Sequence, residues 1–449
     1  MSHPPHNQTG TETLTMDTIE VYAWGQHVGQ VRLDPDTGYY GLEHSHGWLE
    51  RGVELSPIML ARRAGLLTHP KLAVATWQRL PSLLAGSLPD DFGTTLSTTW
   101  LERQLGRAPT TLDRLGALGE FSMGALDFRG GIAPGVWRGD LSIEQLVEAS
   151  NRTVNGQLDG TDDGLAALMC VGSVAGGQRA KVVVGWNEAT NTFVDGRPQL
   201  LPGGHTHWLI KFDGVMPHSK GGAFEPGLPL GKGRVEYAYY LMARAAGLDI
   251  MESRLLEEQG RAHFMTRRFD RAGGHKQHVV TLCDMAHMDY KSRATHTYDS
   301  LFDTISKLEL GDDAKHQAFR RMCFNVMGRN QDDHTKNFSF LLEEGKPWAL
   351  APAYDLTYAN NPKSEWVHQH LMGVNGKFKR IDRDDLRAVG SRWNVPGINQ
   401  ALEEVASAIR RWPEFSARAG VTEQAALAIH QELADLSAGR RKTLRWPKS

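Results

Sequence analysis

Gln331-Asp332-Asp333-His334-Thr335-Lys336-Asn337-Phe338, followed by Pro352-Ala353-Tyr354-Asp355-Leu356, is the stretch on which the reading of this chain turns. An Asp five residues before an Asn, then an apolar hairpin, then a second Asp, is the layout by which phosphoryl-transfer sites place a base and two metal ligands around a nucleotide. Asn337 to Leu342 and Trp348 to Ala351 predict two short strands, joined through Glu343-Glu344-Gly345-Lys346, where Gly supplies a positive φ. Folding that hairpin back brings Asp355 beside Asn337, two hard oxygen donors that suit Mg²⁺, with Mn²⁺ equally acceptable to the same ligands. Asp332 then stands apart in the preceding loop, as a base for an attacking hydroxyl. Upstream, Ala318, Phe319, Met322, Cys323 and Val326 recur at helical spacing, and Gly328 fits the position just past the helix end.

A nucleotide site needs a phosphate cradle, and Val171-Gly172-Ser173-Val174-Ala175-Gly176-Gly177-Gln178 is the candidate, because glycines let backbone N–H groups approach phosphate oxygens. The loop matches neither the Walker pattern nor the Gly-x-Gly-x-x-Gly pattern. Downstream, His207 to Phe212 alternates as a strand carrying Lys211, and Val235 to Gly247 reads as a helix closed by Gly. The apolar stripe of that helix is Val235, Tyr239, Met242 and Ala246, with Glu236 at its edge. From there Glu236 reaches a strand packed beneath and holds Lys211 against the α and β phosphates. His334 either orients the Asp332 loop or packs, with no role in proton transfer, and Lys336 lies between base and metal ligand, in reach of the transferred phosphate.

In this order of motifs the chain resembles the HipA family, serine/threonine kinase toxins of bacterial type II toxin–antitoxin operons. The resemblance rests on Ser173-Val174-Ala175-Gly176-Gly177-Gln178, Trp208-Leu209-Ile210-Lys211, Val235-Glu236-Tyr237, Arg268-Phe269-Asp270-Arg271, the Asp332 to Phe338 segment and Tyr354-Asp355-Leu356. In the N-terminal part it rests on Leu88-Pro89-Asp90-Asp91-Phe92-Gly93, Leu115-Gly116-Ala117-Leu118-Gly119 and Met123-Gly124-Ala125-Leu126. It implies an α+β, protein-kinase-like fold with a mixed N-terminal subdomain, a nucleotide lobe and a mostly helical C-terminal lobe. It implies ATP and Mg²⁺ as cofactors, with Asp332 as the catalytic base and Asn337 and Asp355 as the magnesium ligands. Ser173, Val174, Ala175, Gly176, Gly177, Lys211, Glu236, His334 and Lys336 would bind nucleotide, with Arg268, Phe269 and Asp270 close to the adenine. Ser173 would also be the residue the protein phosphorylates on itself, adding nearly two negative charges to a loop built for ATP phosphates and so opposing rebinding. The implied substrate is a translation component such as an aminoacyl-tRNA synthetase. The implied partner is a small helix-turn-helix antitoxin, HipB-like, through which DNA is met only indirectly. Asp333 stands where some family members have Gly in an Asp-Gly-His sequence, and it is expected to be a solvated or lysine-paired neighbour of the base.

Two other readings stand beside it: a small-molecule or lipid kinase, which uses the same Asp, Asn and Asp constellation, and a nucleotide-binding corepressor that bridges a DNA-bound antitoxin, against which the intact Asp332, Asn337, Asp355 and Lys211 set speaks. Composition permits all three. A chain of 449 residues with 40% hydrophobic content is long enough for two to three lobes with real cores. A formal charge of −2 argues against a protein that coats nucleic acid alone. Cys170, Cys283 and Cys323 are far apart in apolar surroundings, matching reduced thiols of a cytoplasmic protein, and no apolar run is long enough to span a bilayer. The expected organisation is a disordered tail over 1–17, an N-terminal subdomain over 18–160, a nucleotide-binding lobe over 161–272 and a helical catalytic lobe over 273–449. A hairpin over Ile19–Leu33 opens the first subdomain, and helices are predicted near 60–67, 95–105 and 111–118.

Overall fold

The computed structural model describes residues 17–157, 163–172, 179–215 and 231–433. The chain opens with the predicted hairpin, β1 (Thr18–Ala23) and β2 (Gln26–Leu33), joined by Trp24 and Gly25. Both turn residues have positive φ, 50° and 74°, which matches the right-handed twist of the flanking strands. With β3 (Tyr40–His44), β4 (Leu66–Leu67) and β5 (Leu126–Arg129) they form an antiparallel sheet ordered β4-β3-β2-β1-β5. The helix expected near 60–67 is absent. Gly65 takes φ 89°, and Leu66 and Leu67 instead pair with Glu43 and Leu42 as β4, so sheet pairing overrides a short apolar run. The other two expected helices are present as Asp91–Leu105 and Thr111–Gly116.

The second sheet, ordered β7-β6-β8-β10-β9, contains β6 (Lys181–Asn187), β7 (Thr192–Asp195), β8 (Thr206–Lys211), β9 (Ser253–Glu258) and β10 (Arg261–Arg267). Side chains alternate between its faces. Val182, Val184, Trp208 and Ile210 pack into one apolar core with Leu96, Leu146 and Leu168 from the helices Asp91–Leu105, Ile143–Val154 and Asp163–Gly172. Val183 and Leu209 belong to the other face, against Tyr239, Met242 and Ala243 of the helix Lys232–Ala245. Burial on both sides explains why Val182-Val183-Val184 reads as an unbroken apolar run. It also fixes the face of the site, because Lys181 and Lys211 share parity with Val183 and Leu209 and are direct cross-strand partners.

The larger core is continuous from Ile19 and Val21 in the first sheet, through Leu84 and Cys283, to Phe319, Met322 and Leu402 in the C-terminal helices. Burying each such side chain contributes about 1.5–3 kcal/mol. Polar contacts tie the same elements. Trp77 Nε1 and Ser82 Oγ donate to the Asp284 side chain and carbonyl at 2.9 and 2.8 Å. Beyond residue 285 the chain is mostly helical, as expected, with Tyr298–Lys307, Gly311–Met327, Arg383–Arg392, Ile398–Arg410 and Glu423–Glu432. No helix among the described residues is long and apolar enough to cross a membrane.

The helix Lys232–Ala245 sits on β10 so closely that a Cβ on Gly233 would lie 2.0 Å from the Ala262 carbonyl oxygen. Gly233→Ala is therefore expected to cost about 1–3 kcal/mol of stability, read from the urea unfolding midpoint. Burial also holds His207, His263, His278 and His287 down to about 4. Their folded values lie below the ordinary value near 6.5, so between these limits the unfolded chain binds more protons and stability falls as pH drops from about 6.5 to 4. A urea midpoint that stays flat across that window would contradict this.

Candidate active site

The helix Gly311–Met327 ends at Gly328, whose φ is −81°; the left-handed position belongs to Arg329 at 54°. From there the chain runs extended to His334, makes a single 3-10 turn at Thr335–Asn337 and enters the strand Ser339–Leu342. That strand pairs with His278–Thr281 on one side and with Trp348–Leu350 on the other, with Gly345 at φ 76° in the connection. The hairpin folds back as predicted. Ala351 N donates to the Ser339 carbonyl at 2.9 Å, and Tyr354 Oη donates to the Lys336 carbonyl at 2.6 Å. Asp355 follows with φ 56°, a strained value for a residue with a side chain.

The two adjacent aspartates have separate fates. Asp333 is fully buried and accepts from Tyr298 Oη at 2.9 Å, His370 Nδ1 at 2.9 Å, and the backbone N–H groups of Leu371 and Met372 at 2.8 and 3.4 Å. It is an internal anchor, which corrects the expectation of a solvated or lysine-paired neighbour. The extended backbone sends successive side chains to opposite sides. Asp332 therefore points the other way, where its Oδ1 accepts from Trp366 Nε1 at 2.6 Å and lies 3.8 Å from His334 Nε2. Burial, with Asp355 and Asp333 nearby, raises the Asp332 pKa despite His334 and Trp366. Asn337 Nδ2 donates to the Asp332 carbonyl at 2.7 Å, which fixes the amide and leaves its oxygen as the outward end.

Across from this loop, Lys211 Nζ donates to Glu236 Oε1 at 2.5 Å and to Asp355 Oδ1. The expected contact between Lys211 and Glu236 is thus present, and Asp355 joins it. Arg179 Nη1 holds the other Glu236 oxygen at 2.8 Å. Burial works against ionisation of Asp355, and Lys211 and Lys181 outweigh it, holding the carboxyl well below the usual range. Lys181, on the same face, donates no hydrogen bond among the described residues. Burial and the Lys211 ammonium pull it down to about 8, against Asp355, Asp90 and Glu236.

The remaining expected residues divide. Lys336 Nζ pairs with Asp90 Oδ1 at 2.6 Å and lies 4.7 Å from the Tyr290 ring centroid; burial is outweighed by Asp90 and Asp284, so its pKa is raised. His334 packs between Tyr290 and Trp366, at centroid distances of 5.4 and 6.3 Å. Phe269 faces Tyr354 at 5.7 Å. Arg268 and Asp270 do not present their side chains to this cluster. They form a buried bidentate pair at 2.8–2.9 Å, and Asp270 Oδ2 also accepts from Arg271 and from Gly124 N, both at 2.8 Å, which welds β10 to the segment before β5. Ser173, Val174, Ala175, Gly176 and Gly177 lie outside the described residues. Sequence reading missed Trp366, Tyr290, Asp90 as a partner of Lys336, and Lys181. Only Lys181 carried a local signal, as the first residue of the strand after the glycine-rich loop.

Among the described residues no group of three or more His, Cys, Asp or Glu is arranged to hold a metal. The oxygen donors at hand are the Asp355 carboxylate and the Asn337 amide oxygen, which suits a hard cation that keeps most positions for water and phosphate.

Two family profiles match the chain, the HipA N-terminal domain over residues 19–129 and the HipA-like C-terminal domain over residues 173–437. The chain belongs to the HipA family. Its α+β HipA-like fold is shared with the Shewanella oneidensis MR-1 HipA structure, solved as a toxin–antitoxin complex of HipA, HipB and operator DNA. The TM-score is 0.62 at 18% identity, covering 92% of this chain and 93% of that one. A structure of the Helicobacter pylori proinflammatory kinase CtkA aligns with a TM-score of 0.37 at 12% identity, covering 59% of this chain and 92% of that one. No curated protein sequence matches the chain.

The split between the two aspartates is directly testable. Asp333→Ala strands Tyr298 and His370 and is expected to cost about 3 kcal/mol or more. Asp332→Asn is expected to change stability by less than about 1 kcal/mol. Denaturant unfolding of the two variants checks both.

Proposed function

We propose that the protein is an ATP- and Mg²⁺-dependent serine/threonine protein kinase, the toxin of a toxin–antitoxin pair, phosphorylating a translation component such as an aminoacyl-tRNA synthetase and itself on Ser173. The observation that carries this reading is Lys211 bridging Glu236 and Asp355, with Asp332 and Asn337 on the facing loop. That set joins a phosphate-binding cation, a helix carboxylate that orients it, two oxygen donors for a cation and a separate carboxylate.

In this reading Lys211, steadied by Glu236, aligns the α and β phosphates, and Asn337 and Asp355 would hold Mg²⁺. When bound, ATP supplies the γ-phosphoryl group and Mg²⁺ offsets the charge that builds on it. Asp332 orients the acceptor hydroxyl and accepts its proton at the oxygen not bonded to Trp366. Lys336 meets the transferred phosphoryl from the Asp90 side. His334 closes the wall beside Asp332, and Phe269 with Tyr354 forms an apolar surface for the base of the nucleotide. Ser173 to Gly177 would bind the phosphates, and a phosphate on Ser173 would oppose rebinding. A HipB-like helix-turn-helix antitoxin is the proposed partner, with DNA reached through it; the complex solved for the Shewanella protein supports this assignment.

Intact mass after incubation with ATP and Mg²⁺ tests the proposal. Starting from unphosphorylated protein, the wild type is expected to gain one phosphate, and Asp332→Asn and Ser173→Ala none. If protein that binds ATP stays unlabelled in every sample, self-phosphorylation is wrong and a corepressor role gains weight. Labelling of a metabolite or lipid in lysate, rather than a protein, would move the acceptor class.

A further inference from the structure

We propose that Trp366 is a positioning residue for Asp332, and that the segment 361–370 forms the wall along which the acceptor hydroxyl reaches that carboxylate. The proposal rests on the kinase reading and adds to it the acceptor side of the site.

A single stretch, 361–372, which contains this wall, bonds both adjacent aspartates. Its far end, at His370, Leu371 and Met372, supplies three of the four donors that saturate Asp333. Its middle supplies one donor to Asp332, the Trp366 indole N–H at 2.6 Å. The consequences differ in kind. With four donors on its two oxygens, Asp333 has no lone pair directed at a substrate. Asp332 has one oxygen fixed by Trp366, and its second oxygen makes no hydrogen bond among the described residues. A base needs one oxygen free and a fixed orientation, because a small misalignment of the accepting atom costs rate steeply.

The choice of donor matters. An indole N–H is neutral and cannot give up its proton, so it orients the carboxylate without cancelling its charge, as an Arg or Lys in that place would. Trp366 is itself held from several sides. Ser364 Oγ accepts from the backbone N–H groups of Trp366 and Val367 at 3.1 and 3.2 Å, and Asn361 N donates to the Val367 carbonyl at 3.0 Å. Arg293 Nη1 donates to the Glu365 carbonyl at 2.5 Å, which pins the turn to the segment carrying Tyr290. The indole then stands edge-on to Tyr290 at 6.2 Å and to His334 at 6.3 Å. Trp366 and His334 both lie against Asp332, and Tyr290 packs on the two of them. The indole is half-buried, and its neighbours Lys363 and Glu365 are exposed. An incoming chain can therefore lie along this wall while its hydroxyl meets the free oxygen.

The test measures phosphate incorporation at varied ATP with Mg²⁺, both into the protein's own chain and into a degenerate serine/threonine peptide mixture. It compares wild type, Asp332→Asn, Trp366→Phe and Trp366→Ala. Phe keeps a ring and removes only the N–H. Trp366→Phe is expected to lower the maximal rate about 10- to 100-fold, the loss of one hydrogen bond to a charged group. Its half-saturating ATP concentration should stay within about two-fold of wild type. Trp366→Ala should in addition raise the peptide concentration needed for half-maximal rate. A wild-type maximal rate in Trp366→Phe overturns the proposal. So does a fall matched by an equal rise in half-saturating ATP, which would mark a general disturbance of the site. Transfer by the wild type to neither acceptor overturns the kinase reading, and this proposal with it.

Discussion

Everything in the site depends on how the buried Lys211 ammonium is satisfied. Taking one charge out of water is costly, and it is tolerated only where counter-charges and hydrogen bonds replace the lost hydration. Lys211 finds two, Glu236 from the helix Lys232–Ala245 and Asp355 from the loop after the hairpin Ser339–Leu350. Three elements distant in sequence are thereby locked to one point. The parity of β8 determines that point, because Leu209 and Lys211 share the face that the helix covers. Arg179 on the far oxygen of Glu236 completes the arrangement, so the helix carboxylate is neither free to rotate nor left with an empty oxygen.

A second set of buried charges attaches the N-terminal part to the Asp332 loop and the elements around it. Asp90, the residue preceding the helix Asp91–Leu105, pairs with Lys336 between the proposed base and the proposed metal ligand. Trp77 and Ser82 bond Asp284, Lys276 pairs with Asp127, and Trp24 Nε1 donates to the Lys276 carbonyl at 2.9 Å. Arg271 Nη2 donates to the Ser122 carbonyl at 3.0 Å. With one apolar core running beneath these contacts, the N-terminal sheet is part of the scaffold that fixes the loop. Asp332 is therefore held from two sides, by the hairpin that follows it and by elements some 240 residues earlier in the chain, as the separation of Asp90 and Lys336 shows.

The features legible in the sequence were those set by local periodicity or short spacing. The first hairpin, the helix around Glu236, the strand carrying Lys211 and the hairpin between Asn337 and Asp355 all came from alternation, helical spacing and turn glycines. The five-residue gap from Asp332 to Asn337 was legible because it is the reach of one turn, closed here by the Asn337 amide on the Asp332 carbonyl. Long-range pairing was not legible. Leu66 and Leu67 became a strand because β3 offered an edge, and nothing in their neighbours announces that. Trp366 reaches Asp332 across 34 residues that include the whole hairpin, and Asp90 reaches Lys336 across 246. Arg268 and Asp270 were placed near the adenine by resemblance, while two residues apart on a strand end they satisfy each other and Gly124 inside the protein.

The pair Asp332-Asp333 shows how one residue type performs two tasks on neighbouring positions. Extended backbone turns the two carboxylates in opposite directions, and each environment then defines what its group can do. Toward the interior, Asp333 meets a phenol, an imidazole and two backbone amides, and four donors exhaust the directed lone pairs of a carboxylate. A group so saturated has no lone pair left to direct at a substrate. Toward the site, Asp332 has one indole as its donor and so keeps an open oxygen, while burial, with Asp355 nearby, raises its proton affinity against the pull of His334 and the indole. A second aspartate beside the proposed base therefore does not compete with it. It anchors residues 370–372, and the same loop bonds Asp332 through Trp366, so one loop holds both carboxylates.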